Sequence, residues 1–260
     1  MTRVALALLL AASVAVAGIY SALRVTGKPM SAQTFLCLGA GEAATGISDL
    51  LVSAMVADGL TEGAARERCW LVDSKGLVVK SRGGLAEHKL PYAHDHAPVA
   101  DFASAVKALK PTAIIGVAAS AKAFTREVVA TMAALNQHPI IFALSNPTSK
   151  TECTPAEAYE WSEGRALYAS GSPFDPITWS GRRFVTRQGN NSYIFPGVGL
   201  GAIAVRATRV TDAMFMAAAR TLASTVTEAD LAQGSLYPPL ADVRSVSARL
   251  AGVEVPSVAD

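Results

Sequence analysis

Thr34-Phe35-Leu36-Cys37-Leu38-Gly39-Ala40-Gly41-Glu42-Ala43-Ala44-Thr45-Gly46 sets an unbroken apolar run directly before a pair of glycines and a stretch of good helix formers. Such a run ending in glycine predicts a buried strand followed by a tight turn. Residues 42–58 carry apolar side chains at helical spacing, so a helix follows the turn. Gly39 permits the turn, and Gly41 removes the side chain that would stand where a pyrophosphate lies. The small Ala44, or Gly46 a little further on, lets helix and strand pack closely. Glu42 and Ala43 open a helix whose N-terminal N–H groups and partial positive charge favour phosphate. Ala44 replaces the third glycine of the usual GxGxxG, and the strand–turn–helix context carries the dinucleotide reading in its place.

The same alternation continues outward. Residues 69–73, 113–117, 140–144 and 166–169 read as further short buried strands, and 102–109 and 124–135 as amphipathic helices between them. Strands that are almost wholly apolar and separated by helices imply a parallel sheet covered on both faces, the doubly wound α/β Rossmann class. The organisation expected is a lead-in helix over 1–30, a dinucleotide-binding domain over 31–205 and a helical segment over 206–260. Residues 213–224 are the clearest packing helix of that last segment, and 184–193 read as an irregular functional loop.

Ligands of open α/β sheets bind beyond the carboxyl ends of strands, and several polar groups fall there. Asp73 ends the second strand, where a Rossmann fold places the acid that binds the adenosine ribose. Ser74 and Lys75 follow at once and offer a hydroxyl and an ammonium to a 2′-phosphate, although Asp-Ser-Lys-Gly is also an ordinary solvated turn. Ala118-Ala119-Ser120 follows the third strand, Ser145-Asn146-Pro147-Thr148 the fourth, and Gln188-Gly189-Asn190-Asn191 forms another polar cluster. Asparagines orient a carboxylate or carboxamide without adding charge, but turns and helix caps favour them as well. His94-Asp95-His96 would put two imidazoles on one face of an extended segment. With no third ligand nearby and prolines at 91 and 98, a surface loop is the better reading, and no metal site is assigned.

Composition excludes several classes. Of 260 residues, 51% are hydrophobic and 17% charged, which suits a large core, and the net charge of +2 gives no reason to expect nucleic acid as a partner. The three cysteines form no CxxC pair, in keeping with a reducing cytoplasm. Residues 1–17 complicate that address: Arg3, an apolar run and Ala15-Val16-Ala17 before Gly18 have the form of an export signal. The alternative is a buried helix from Arg3 to about Arg24, stopped by Thr26-Gly27-Lys28-Pro29. Ser13, Gly18 and Ser21 dilute the run as a membrane span.

Taken together the motifs resemble the malic enzyme family. The resemblance lies in residues 35–44, Trp70 to Gly76, Pro111 to Val117, Phe142 to Thr148, Ala169 to Phe174, Gln188 to Gly197 and Leu236 to Leu240, in order over residues 12–250. It implies oxidative decarboxylation of malate to pyruvate and CO2 with NAD or NADP and a divalent metal (Mg or Mn). By that likeness Glu42, Ala43 and Ala44 face the pyrophosphate, Asp73 faces the adenosine ribose, and Val117 and Ala119 line the cofactor cleft. Gly171 and Gly189 stand near the nicotinamide, and Asn146 and Asn191 resemble the family's malate-contacting asparagines, which implies weak binding of malate or pyruvate. Ser74 and Lys75 favour NADP, and a further lysine that NADP-preferring members carry falls near Lys89 and Leu90.

Residues 6–11 hold no acid where the family has a metal-binding aspartate. The family's catalytic tyrosine, base lysine and remaining metal carboxylates belong to an upstream domain. No catalytic residue is therefore expected here. Two readings stay open: the cofactor half of a malic enzyme, inactive alone, and a nucleotide-binding relic without chemistry. Ser13 to Leu23 resemble the helix leading into the family's dinucleotide domain, which favours cytoplasmic retention over export. Self-association is left open.

Overall fold

The computed structural model describes residues 3–254. Met1 and Thr2, where the anticipated signal begins, and residues 255–260 of the anticipated C-terminal segment lie outside the described residues. Six strands form the main sheet: β1 (Phe35–Leu38), β2 (Cys69–Asp73), β3 (Gly76–Leu77), β4 (Ala113–Gly116), β5 (Ile140–Ala143) and β6 (Leu167–Ser170). Their order is β3-β2-β1-β4-β5-β6. β1 pairs in parallel with both β2 and β4, and β5 and β6 continue the parallel set. Sequential strands thus run outward in opposite directions from β1, and the carboxyl ends of β1 and β4 bound the crevice where such sheets bind ligands.

Side-chain alternation explains the two layers. Phe35, Cys37, Ile115, Ile140 and Phe142 enter one core with α1 (Arg3–Thr26), α2 (Glu42–Ala57), α8 (Asp212–Ser224) and α10 (Val243–Glu254). Leu36, Ile114, Ile141 and Tyr168 enter the other, against α4 (Phe102–Leu109), α5 (Arg126–Leu135) and α6 (Pro155–Trp161). Successive residues on a strand face opposite sides, so an apolar run feeds both layers at once. The helices start on side-chain caps: Asp101 accepts from Ser104 N–H, Thr125 from Val128 N–H, and Thr154 with Glu157 forms a reciprocal capping box. α4 stops at Lys110 in the left-handed region.

Helix α1 matches the buried-helix alternative. Ala12, Val16, Ala17, Ile19 and Ala22 are inaccessible, and it packs against α2 and α8. Leu9–Thr26 is long and apolar enough to cross a membrane, yet 67% of that window is buried inside the fold. Tyr237 donates its hydroxyl to the Val14 carbonyl at 3.0 Å, and the absent side chain of Gly18 makes room for the same ring.

Some elements differ from the sequence reading. β3 is antiparallel to β2, because the Asp73-Ser74-Lys75-Gly76 turn reverses the chain on a glycine at φ +96°. A small hairpin, β7 (Ile177–Trp179) with β8 (Arg182–Phe184), was not read from the sequence and leads directly into the stretch from Phe184 read as irregular. α3 (Glu62–Arg66), α6, α7 (Phe195–Ala204), α9 (Glu228–Ala232) and α10 were not distinguished as helices. α3 and α9 are single turns, α7 contains three glycines, and α10 interleaves serine and arginine with small apolar residues.

Replacing Gly18 by Val should destabilise the chain by about 1–3 kcal/mol through overpacking against Tyr237 and Phe142. Urea unfolding measures this, and an unchanged midpoint would show that α1 does not pack as described.

Candidate functional site: a dinucleotide cleft

The glycine turn has the geometry a phosphate site needs. Gly39 sits at φ +126°, donates its N–H to the Val72 carbonyl at 2.8 Å and lies against Val117, so a side chain there would be both strained and crowded. Gly41 is different. Its backbone is extended (φ −88°, ψ −176°), and a Cβ built on it meets nothing within 4 Å. The opening at Gly41 is therefore space beside the start of α2. No side chain caps the first turn, which leaves the helix N-terminal N–H groups to an anion. Glu42 is exposed at this end and Ala43 half-buried. Ala44, 1% exposed, provides the close contact beneath, whereas a Cβ at Gly46 would stand free. Of the two small residues considered, Ala44 is the one that seats helix on strand.

At the end of β2, Asp73 is enclosed by cations. Its carboxylate accepts from Arg82 Nη2 at 3.0 Å, from Lys89 Nζ at 2.7 Å and from Lys75 N–H at 2.9 Å. Burial opposes ionisation, but these bonds outweigh it and bring the carboxyl down to about 2. Arg82 was not visible as a site residue in the sequence. Lys89 arrives because the 3₁₀ segment Glu87–Tyr92 folds back over the glycine turn, where His88 Nε2 lies 3.0 Å from the Ala40 carbonyl. Leu90 instead points outward, 56% exposed. Ser74 and Lys75 are exposed at the turn. One carboxylate thus faces a guanidinium and an ammonium, with the backbone N–H of Lys75 as its third donor.

From β4 to β6 the strand ends open on a cleft of about 390 Å³. It brings together Ala43, Val117, Ala119, Asn146, Gly171, Gly189 and Asn191 from the anticipated set. Gly39, Gly41, Glu42, Ala44, Asp73, Ser74 and Lys75 lie outside this lining, towards β1 and β2. Gly171 cannot carry a side chain because it would run into the Leu144 backbone, and Gly189 is held by its N–H on the Ser170 carbonyl at 2.8 Å. Asn146 and Asn191 are both exposed, and among the described residues neither side-chain amide has a hydrogen-bond partner in the protein. Asn190, by contrast, is committed to Ser192 N–H and Gln188, and Gln188 to the Gly171 carbonyl. The sequence reading also missed Ala11, Val14 and Ala15 of α1, which wall the cleft from a distant part of the chain.

Among the described residues, the cleft lining contains no Asp, Glu, His, Lys, Arg, Cys or Tyr. Among the described residues no group of three His, Cys, Asp or Glu side chains is placed to hold a metal ion. His94 and His96 flank the Trp70 ring, at centroid distances of 4.4 and 5.6 Å, and His94 Nε2 bonds the Cys69 carbonyl. Asp95 is exposed on the loop between them.

The family model "Malic enzyme, NAD binding domain" matches residues 10–259. The chain belongs to the malic enzyme family, as its NAD-binding domain. It is 52% identical over 242 residues to NADP-dependent malic enzyme 3 of Arabidopsis thaliana, covering 92% of this chain and 41% of that protein. To the NADP-dependent malic enzyme of Rattus norvegicus it is 51% identical over 241 residues, 92% of this chain and 42% of the relative. The chain therefore spans about two fifths of the length of these relatives. The Entamoeba histolytica malic enzyme superimposes with a TM-score of 0.76 at 23% identity, over 96% of this chain and 47% of that one, which shows the shared fold. The Pyrococcus horikoshii malic enzyme gives 0.72 at 25%, over 96% and 53%.

In this malic enzyme domain, Gly41→Val tests the opening at the helix terminus. Affinity for reduced nicotinamide dinucleotide should fall at least about tenfold, while stability changes by no more than about 1 kcal/mol, since the position is unstrained and open. Fluorescence titration and thermal unfolding read the two effects. Unchanged affinity would mean the turn is only structural.

Proposed function

We propose that this chain binds NADP in preference to NAD and forms the cofactor half of an enzyme that oxidatively decarboxylates malate to pyruvate and CO2. The observation that carries the reading is the continuity of the site: the empty space at Gly41, the cationic corner at Asp73 and the asparagine-lined cleft follow one another along the strand ends. A dinucleotide is long enough to occupy all three. When bound, its nicotinamide supplies the hydride acceptor. Asn146 and Asn191 then present uncommitted amides that bind and orient the carboxylates of a small diacid. Ala11, Val14 and Ala15 close the same cleft with apolar surface and exclude water.

The corner supports the choice of cofactor. An uncompensated Asp73 would repel a 2′-phosphate, but Arg82 and Lys89 already neutralise it and carry charge to spare, with Lys75 adjacent. The NADP-dependent relatives point the same way. The divalent metal of the reaction would need ligands that the described residues do not assemble. Among the described residues the cleft also presents no acid or base. Turnover accordingly requires groups beyond these residues, and the chain by itself is proposed to bind without reacting. A cytoplasmic setting is proposed on the burial of α1 within the fold and on three buried, unpaired cysteines.

The purified chain should therefore bind NADPH in a fluorescence titration and show no malate-dependent NADPH formation with Mn²⁺. Turnover by the pure chain, or failure to bind, would overturn the proposal. Lys89→Ala should weaken NADPH binding by about one order of magnitude, as expected for a partly buried charge-assisted contact worth roughly 1.5–3 kcal/mol, and leave NADH nearly unchanged. Equal losses for both cofactors would contradict the 2′-phosphate assignment.

A further inference from the structure

Glu152 is inaccessible to solvent, lies in the link between β5 and α6, and does not itself line the cleft. Its carboxyl accepts from Ser145 Oγ–H and, at 3.4 Å, from Ser145 N–H. Ser145 Oγ in turn accepts from Ala119 N–H at 2.9 Å. A hydroxyl has a single proton, so donating it to Glu152 turns its lone pairs towards Ala119. Two backbone bonds reinforce the tie, from Lys122 N–H to the Thr151 carbonyl at 3.0 Å and from Phe124 N–H to the Glu152 carbonyl at 3.1 Å. Gly116, the last residue of β4, makes way for this side chain, since a methyl group there would overlap the Glu152 carboxyl.

The arrangement does not look like one built for stability. Burial pushes the Glu152 carboxyl up from its ordinary value despite the bonds from Ser145. Among the described residues no cation lies within ion-pair distance of it. A buried acid with no counter-charge costs more than an apolar side chain of the same size. What it secures is the junction of two loops. Ala119 is held at φ +51°, a strained conformation for a residue with a Cβ, and Ala119, Ser145 and Asn146 all line the cleft.

We propose that Glu152 is a positioning residue that, through Ser145, locks the loops after β4 and β5 together and so shapes the nicotinamide end of the dinucleotide cleft. This rests on the cofactor reading above. The adenosine end, at Asp73, lies on β2, which pairs with neither β4 nor β5, so the clamp does not bear on it directly.

Glu152→Ala and Ser145→Ala should each lower NADPH affinity at least about tenfold, while affinity for adenosine 2′,5′-bisphosphate, which fills only the adenosine end, stays within about twofold. Glu152→Gln, whose amide oxygen still accepts from Ser145, should restore NADPH binding to within about threefold of wild type. General destabilisation would weaken both ligands alike and would overturn the proposal, as would unchanged NADPH binding in both alanine variants. Ser145→Ala makes the same test with a minimal change in volume should Glu152→Ala fail to fold. Amide exchange of the ligand-free full chain reads the clamp separately: Ala119 N–H should exchange at least about tenfold faster in Glu152→Ala, with β1 unaffected. Wild-type chain that binds no NADPH while its variant shows this acceleration would overturn the cofactor reading alone. Normal wild-type binding with no acceleration in the variant would overturn the clamp alone.

Discussion

Parallel pairing of β1 with both β2 and β4 is the constraint on which the rest of the structure depends. After β1 the chain crosses over through α2 on one face, and after β4 it crosses through α5 on the other. The two exits therefore diverge, and a crevice opens beyond the shared strand ends. Closing that crevice's floor requires adjacent exits to approach closely. Gly39 against Val117, Gly116 against Glu152 and Gly171 against Leu144 are the three places where a side chain would prevent it. Gly41 is the exception, because its missing side chain leaves open space rather than room for protein, and the proposed pyrophosphate lies there.

Charge is distributed along this crevice with a clear division. At the β2 end, Arg82 and Lys89 hold Asp73 ionised and leave a cationic surplus suited to phosphate. At the β5 and β6 end the lining is neutral, with uncommitted amides on Asn146 and Asn191. A neutral, hydrogen-bonding pocket can orient a substrate but cannot move its protons. The acid–base groups that the proposed reaction needs are not among the lining residues of this cleft, and the chain spans about two fifths of the length of its relatives.

The sequence made the sheet legible because buried parallel strands are continuous apolar runs, and each predicted run falls within a residue or so of its strand. The glycine turn was equally legible, since its chemistry is local. What escaped depends on how later turns of the chain fold back. Arg82 reaches Asp73 from the turn after β3, where it also bonds the Gly76 and Leu77 carbonyls, and Ala11, Val14 and Ala15 reach the cleft from the far end of the chain. Lys89, noted in the sequence only through the resemblance, meets Asp73 because residues 87–92 fold back over Ala40. Glu152 gave no signal at all, because its place beneath Gly116 depends on β4 and β5 being neighbours. The antiparallel β3 was hidden inside a segment read as a turn, and the β7–β8 hairpin was too short and too charged to stand out from a loop.

The central claim is that one dinucleotide lies along the strand ends from Asp73 to Ala119, and a crystal structure of the chain with NADPH tests it most directly. The account predicts the pyrophosphate at the start of α2 beside Gly41, the 2′-phosphate within hydrogen-bond distance of Lys89 or Arg82, and the nicotinamide against the Ala119 and Ser145 loops. A cofactor bound elsewhere, or a 2′-phosphate directed away from that cationic corner, would contradict it.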